Sequence, residues 1–164
     1  MNFSMKIDSE GDPPSPFTQA AIGRLESVFK EELPLLGQGF EDYAEVEVSV
    51  TFLNCAEIKD INKQHRGLDE PTDVLAFPLW EKEERFAPPA SLGLLPLGDI
   101  VICPEEAERE HAPAARMEAL CLVLAHGFLH LLGWDHDTPE KEITMWDRQE
   151  LLKLKLLSAV EEAS

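Results

Sequence analysis

Apolar and polar residues alternate most regularly between residues 45 and 53, which read EVEVSVTFL. The apolar positions recur at every second residue, which is the period of a strand with one buried face. The members of that face are Val46, Val48, Val50 and Phe52. Shorter apolar runs predict further strands over residues 73–79 and 98–103, and an additional strand over residues 5–8.

A helical spacing of apolar residues follows the proline-rich segment near the N-terminus. Ser15 and Pro16 predict the start of this first helix, as its N-cap and its first helical residue. Pro34 predicts that the helix ends at about residue 32.

Four more helices are predicted from their capping residues. Asn54 and Glu57 have the spacing of a capping box, and the helix that they begin is expected to end before Gly67. The other three helices are predicted to begin near Pro104, Pro113 and Pro139. The apolar stripe predicted for the last of them contains Ile143, Trp146, Leu151, Leu154 and Leu157.

The order of these elements predicts an α+β fold, in which a small mixed β-sheet is packed with about five helices. A length of 164 residues is typical of one domain, and we assign residues 1–164 to a single domain. We expect residues 1–16 to be loosely ordered. Residues 81–97 begin charged and continue rich in proline, glycine and leucine, so we expect them to form a long hairpin loop.

The charge of the chain restricts the ways in which it could bind nucleic acid. Lys and Arg number 14 against 32 Asp and Glu, and the formal net charge of −18 repels polyanions at long range. Binding through one broad basic surface is therefore disfavoured, and phosphate chemistry would need a local cation or a metal ion. Three cysteines without a CxxC motif, together with an acidic N-terminus, predict a cytoplasmic protein with no membrane partner.

Three histidines near the end of an apolar segment have the spacing of a metal site. His126 and His130 are four residues apart, so on a helix their side chains lie about 40° apart in azimuth and about 6 Å apart along the axis. Gly133 can end the helix with a positive φ, and the chain can then bring His136 back to the same point. The residues around them are apolar almost throughout 119–132. We therefore expect a buried central helix with a three-histidine metal site at its end.

The kinds of ligand in this set point to a catalytic site. Three neutral nitrogen ligands leave one position of a tetrahedral Zn²⁺ ion open, where water can ionise at about pH 7. Three imidazoles also suit nickel or copper. In HExxH proteases a glutamate follows the first histidine, but here that residue is Gly127. Peptide hydrolysis by that mechanism lacks its base, so a zinc-dependent hydrolase of peptide or amide substrates is kept only as an alternative.

Two blocks of the sequence resemble the YbeY family of bacterial endoribonucleases and rRNA maturation factors. Residues 126–136 read HGFLHLLGWDH and match the family's HGxLHLxGxDH signature. Residues 97–102 read LGDIVI, as in the family.

A third block precedes these two in the chain. Residues 62–67 read NKQHRG and residues 71–78 read PTDVLAFP. These are similar to the family's N-R-x-x-R-G and PTDVLSFP, with Lys63 in place of arginine and Ala76 in place of serine. The resemblance covers about residues 45–150.

The resemblance implies one zinc ion held by His126, His130 and His136, with Arg66 completing the catalytic set by stabilising the phosphate. It also implies cleavage of single-stranded RNA in small-subunit (16S) rRNA 3′-end maturation and ribosome quality control. The implied partners are rRNA, the small ribosomal subunit and ribosomal proteins. The nucleophile stays open between zinc-activated water and a 2′-hydroxyl, which only RNA offers. A non-catalytic, zinc-containing ribosome assembly factor is a further alternative, because the negative charge suits docking on basic proteins.

Two other polar residues near these motifs have undecided or ordinary roles. Asp135 either orients a ligand imidazole or belongs to the turn before His136, and the sequence favours neither. His65 is expected to be an ordinary surface histidine.

Overall fold

The computed structural model describes residues 1–10, 13–14, 17–83, 85–89, 93–109 and 111–163, except for the side chain of Pro113. In chain order the helices and strands are β1 (Asn2–Ser9), α1 (Gln19–Leu36), β2 (Glu45–Phe52), α2 (Cys55–Arg66), β3 (Val74–Pro78), β4 (Glu81–Lys82), β5 (Arg85–Phe86), β6 (Leu94–Ile102), α3 (Pro104–Glu108), α4 (Arg116–Leu131) and α5 (Pro139–Glu162). Short 3₁₀ turns occupy Phe40–Asp42 and Pro113–Ala115.

The four longer strands form one mixed sheet in the order β1-β2-β6-β3. β1 and β6 run parallel to β2 on either side of it, and β3 runs antiparallel to β6. Five α-helices occur in the described ranges and pack against this sheet and one another. The predicted α+β fold with a small mixed sheet is confirmed.

The N-terminal strand corrects one expectation. Residues 2–9 pair with β2 along their whole length, so the prediction of loose order over residues 1–16 is wrong for this part. Phe3 and Met5 are buried against the core, and that burial offsets the entropy of ordering a terminal segment. Ser15 and Pro16, which were expected to begin the first helix, lie outside the described residues. In the structure Thr18 caps α1 by accepting a hydrogen bond from the backbone N–H of Ala21.

The first helix extends beyond its expected end. Pro34 lies inside α1, which continues to Leu36. A proline in the last turn removes one backbone donor, but the helix still closes because the N–H of Gly37 donates to the carbonyl of Leu33 at 3.1 Å. The second helix agrees with its prediction, since Asn54 and Glu57 form a capping box and Gly67 ends α2 with a φ of 72°.

The segment predicted as a long hairpin loop is more ordered than expected. The two-residue strands β4 and β5 pair with each other, and β6 begins at Leu94 rather than at Gly98. Pro96 and Gly98 look like strand breakers in the sequence, but both lie inside β6. The register between β2 and β6 shifts between Glu47 and Ser49, which is a bulge, and Gly98 has a φ of 135° there. A Cβ at Gly98 would lie 2.2 Å from the carbonyl oxygen of Phe77.

α4 is the central helix of the core. Ten of its residues are buried, and its Phe128 ring lies 4.3 Å from that of Phe29 and 5.9 Å from that of Phe3, measured between centroids. α5 packs along α4 and α1.

The apolar stripe predicted for α5 is wrong for four of its five residues, while Leu157 is partly buried and packs against the core. Ile143, Trp146, Leu151 and Leu154 are each at least half exposed, and the buried apolar side chains are Met145, Leu152, Leu156, Ala159 and Val160. The residues of α5 that are buried are those that pack against α4 and α1. Lys153 is also buried on this helix, and its amine donates hydrogen bonds to Glu118 and Glu150. In the described part of the chain, no helix is both long enough and apolar enough to cross a membrane.

Candidate metal centre

The turn at the end of α4 brings the third histidine back to the other two. Gly133 has a φ of 87°, and its N–H donates to the carbonyl of His130 while the N–H of Trp134 donates to that of Leu129. This pair of bonds is a Schellman motif, which reverses the chain directly after the helix. The indole of Trp134 also donates to the carbonyl of Leu36 at 3.0 Å, and this bond fixes the turn against the end of α1.

The three predicted histidines lie together in the structure. Ring centroids are 4.5 Å apart for His126 and His130, 5.8 Å for His126 and His136, and 5.3 Å for His130 and His136. One ring nitrogen from each lies within 4.8 Å of the others. Two imidazole nitrogens bound to one tetrahedral Zn²⁺ at 2.0–2.1 Å would be about 3.4 Å apart. The Nε2 atoms of His126 and His130 are 3.1 Å apart, so the set fits a metal ion of this size.

Burial keeps one of these rings neutral. The pKa of His130 is lowered from 6.5 to about 4, first because burial disfavours the imidazolium and then because His126 and His136 lie close to it. A neutral imidazole is the form that binds a metal ion. His130 is therefore ready to act as a ligand at pH 7 without first losing a proton.

The polar contacts of the histidines answer the question left open for Asp135. Its Oδ1 accepts a hydrogen bond from the backbone N–H of His136 at 2.7 Å, which is the role of a turn residue. An imidazole contact comes instead from Gln149 of α5, whose Oε1 lies 2.7 Å from Nδ1 of His126. The sequence offered no signal for Gln149, because it is 23 residues from His126 and lies within a helix with several polar residues.

Packing explains why glycine follows the first histidine. Gly127 is buried where α4 crosses β6, and a Cβ there would lie 2.7 Å from Cγ2 of Ile100. A glutamate at this position would have to enter the contact between α4 and the sheet. The missing HExxH base is therefore a consequence of how closely the helix lies on the sheet.

The histidines open onto a cleft of about 330 Å³. One wall comes from β3 and the end of α2, and the other from residues 133–136 and Lys141 of α5. Arg66 lines this cleft, as the resemblance implies for a phosphate contact. His65 is exposed, as expected of a surface histidine, but it also lines the cleft, with its ring centroid 4.4 Å from that of Phe77.

Arg66 differs from the other cations of α2. Lys59 and Lys63 each lie within 4.0 Å of Asp69, whereas Arg66 forms no ion pair with any residue that the structure describes. Asn62, on the same helix, is buried and donates from Nδ2 to the carbonyl of Glu70 at 2.8 Å. This bond holds the segment after α2 close to the helix. The cleft thus combines three imidazoles with a guanidinium that is available to an anion.

Comparisons with known proteins agree with this geometry. The family model described as Endoribonuclease YbeY matches residues 17–156. The Endoribonuclease YbeY of Symbiobacterium thermophilum is 40% identical over 136 residues, which cover 82% of this chain and 85% of the relative. That of Caldanaerobacter subterraneus subsp. tengcongensis is 40% identical over 162 residues, 94% of each chain.

A solved structure has a similar fold. The solution structure of a Thermotoga maritima protein is similar with a TM-score of 0.55 and 30% sequence identity, and the match covers 93% of this chain and 88% of that one. The family match extends from α1 into α5 and includes all the residues of the cleft. The chain therefore belongs to the endoribonuclease YbeY family.

Proposed function

We propose that this protein is a metal-dependent, single-strand-specific endoribonuclease that acts in small-subunit rRNA 3′-end maturation and ribosome quality control. The observation that carries the proposal is the shared cleft, which is lined both by the three histidines and by Arg66, whose guanidinium has no ion-pair partner among the described residues. The similar proteins from Symbiobacterium and Caldanaerobacter are both named as endoribonucleases.

His126, His130 and His136 would hold the ion, for which zinc is the first candidate. A divalent ion with three imidazole ligands supplies an open position and a Lewis acid that activates water or a hydroxyl group. The histidines would hold that ion at the end of α4, and the buried residues of this helix fix the positions of His126 and His130.

Arg66 would bind the phosphate of the scissile bond. Its planar guanidinium can donate two parallel hydrogen bonds to phosphate oxygens, and it can stabilise the negative charge that increases as phosphorus becomes pentavalent. In a chain with a net charge of −18, an arginine that pairs with no carboxylate in the described ranges would provide the local cation that RNA requires.

The nucleophile can be assigned with one modified substrate. If a 2′-hydroxyl attacks, a single 2′-deoxy substitution at the cut site abolishes cleavage there, because the nucleophile is missing. If water attacks, cleavage at that position persists.

The proposal is tested by cleavage of a defined small-subunit rRNA 3′ fragment. Arg66→Glu is expected to lower kcat/KM by about 100-fold or more, with zinc content unchanged, because it replaces the phosphate contact with a repelling charge. Lys63→Glu is the matched control, since Lys63 lies on the same helix but does not line the cleft, and its activity should remain within a few-fold of wild type.

The outcomes also separate the alternatives. Equal cleavage by wild type, Arg66→Glu and His130→Ala would contradict the proposal and would indicate a contaminating nuclease. No cleavage by any preparation, together with stable association with small ribosomal subunits, would favour the non-catalytic assembly factor. Turnover of a peptide or amide by the wild type alone would favour the alternative hydrolase, which the packing of Gly127 against Ile100 disfavours.

A further inference from the structure

We propose that Gln149 is a positioning residue for the metal site: its side-chain oxygen accepts the Nδ1 proton of His126 and so leaves Nε2 of that ring free to bind the ion. This inference rests on the proposed metal-binding role of the three histidines. It concerns a residue of α5 that belongs to none of the three sequence blocks discussed above.

The argument begins with the two nitrogens of His126. A neutral imidazole carries one proton, and the nitrogen without it is the one that can bind a metal ion. Nε2 of His126 faces Nε2 of His130 at 3.1 Å, so Nε2 is the nitrogen directed toward the other ligands. For both rings to bind one ion, Nε2 of each must be unprotonated. The proton of His126 must then reside on Nδ1.

A proton on Nδ1 needs an acceptor in this half-buried position, and Gln149 supplies one. Its Oε1 lies 2.7 Å from Nδ1, the distance of a short N–H···O hydrogen bond. Two carboxylates flank His136 in the sequence, but Asp135 accepts from the backbone N–H of His136 and Asp137 pairs with Lys141 at 3.3 Å. The carbonyl oxygen of a glutamine is neutral, so it orients the ring without adding charge to the site.

The position of Gln149 is set by the core. Met145 and Leu152 lie one turn before and one turn after it on the same face of α5, and both are buried. This face packs on α4, the helix that carries His126 and His130. The glutamine is therefore held at a fixed distance from the ring. Partners that orient metal-bound histidines in this way typically contribute 10–100-fold to metal affinity.

The test measures metal binding rather than cleavage. Zn²⁺ affinity is determined by competition with a chelator, and Co²⁺, whose visible absorption reports its coordination geometry, serves as a second probe. Gln149→Met keeps a similar length but removes the acceptor, and we expect it to weaken Zn²⁺ binding 10–100-fold and to alter the Co²⁺ spectrum. Gln149→Glu restores an acceptor and should bind Zn²⁺ at least as tightly as wild type. Gln19→Met, on the exposed start of α1, should behave as wild type.

A packing role for Gln149 predicts a different pattern. In that case Gln149→Met and Gln149→Glu would change the unfolding temperature of the metal-free protein, and Gln149→Met would leave Zn²⁺ affinity within a few-fold of wild type. That result would overturn this inference and leave the proposed endoribonuclease activity standing. Absence of Zn²⁺ and Co²⁺ binding by the wild type would overturn both.

Discussion

Substituting Gly127 with alanine tests how closely α4 lies on the sheet beneath the candidate site. Inside an ordinary helix, alanine is more favourable than glycine by about 1 kcal/mol. At Gly127, however, the new Cβ would lie 2.7 Å from Cγ2 of Ile100, well inside a normal carbon–carbon contact of about 3.5–4.0 Å. Overpacking of this kind costs about 1–3 kcal/mol. The two effects together predict a fall of about 0–2 kcal/mol in the free energy of unfolding.

Gly23 of α1 provides the matched control. It is exposed within a helix, and a Cβ there would meet no atom within 4 Å, so Gly23→Ala should raise the free energy of unfolding by about 1 kcal/mol. Urea unfolding with excess chelator compares the two variants without a contribution from bound metal. Equal stabilisation by both substitutions would refute the close contact between α4 and β6, and with it our explanation for the missing glutamate.

Two further predictions concern the histidines and the wall of the cleft. The pKa of His130 is about 4 in the folded protein and about 6.5 when unfolded, so the unfolded state binds more protons between these values. The free energy of unfolding of the metal-free protein should therefore decrease as the pH falls from about 6.5 to about 4. In the same chelator-containing buffer, His130→Gln should show a smaller decrease over this pH range. Equal decreases in both proteins would contradict the burial of His130. Asn62→Ala removes the bond to the carbonyl of Glu70, and we expect it to lower the free energy of unfolding by about 1–3 kcal/mol and to raise KM for RNA while zinc content stays unchanged. An unchanged KM and stability would show that Asn62 does not hold the segment beside Arg66.

Local sequence patterns predicted the parts of the fold in which one or two residues determine where a helix begins or ends. The capping box of Asn54 and Glu57 and the positive φ of Gly133 are such cases, and both are confirmed. The three histidines also come together as their spacing indicated, because a single helix and its terminal turn determine their relative positions.

The remaining features depend on contacts between distant segments. Pro96 and Gly98 look like breakers, yet the bulge against β2 accommodates them within β6. The buried face of α5 is selected by α4 and α1, so the hydrophobicity of Ile143 and Trp146 alone misidentified it. Gln149 and Lys141 reach the site only because α5 folds back along α4, and no local pattern records that arrangement.

Titration of metal-free protein with Zn²⁺ tests the central claim most directly, when bound zinc and cleavage of the small-subunit rRNA 3′ fragment are measured on the same samples. We predict that cleavage is absent after chelation, rises in proportion to bound zinc and reaches its maximum at one ion per chain, and that His130→Ala neither binds zinc tightly nor gains activity. Full cleavage by the chelated protein, or by His130→Ala, would contradict the claim that the three-histidine cluster is the catalytic metal site.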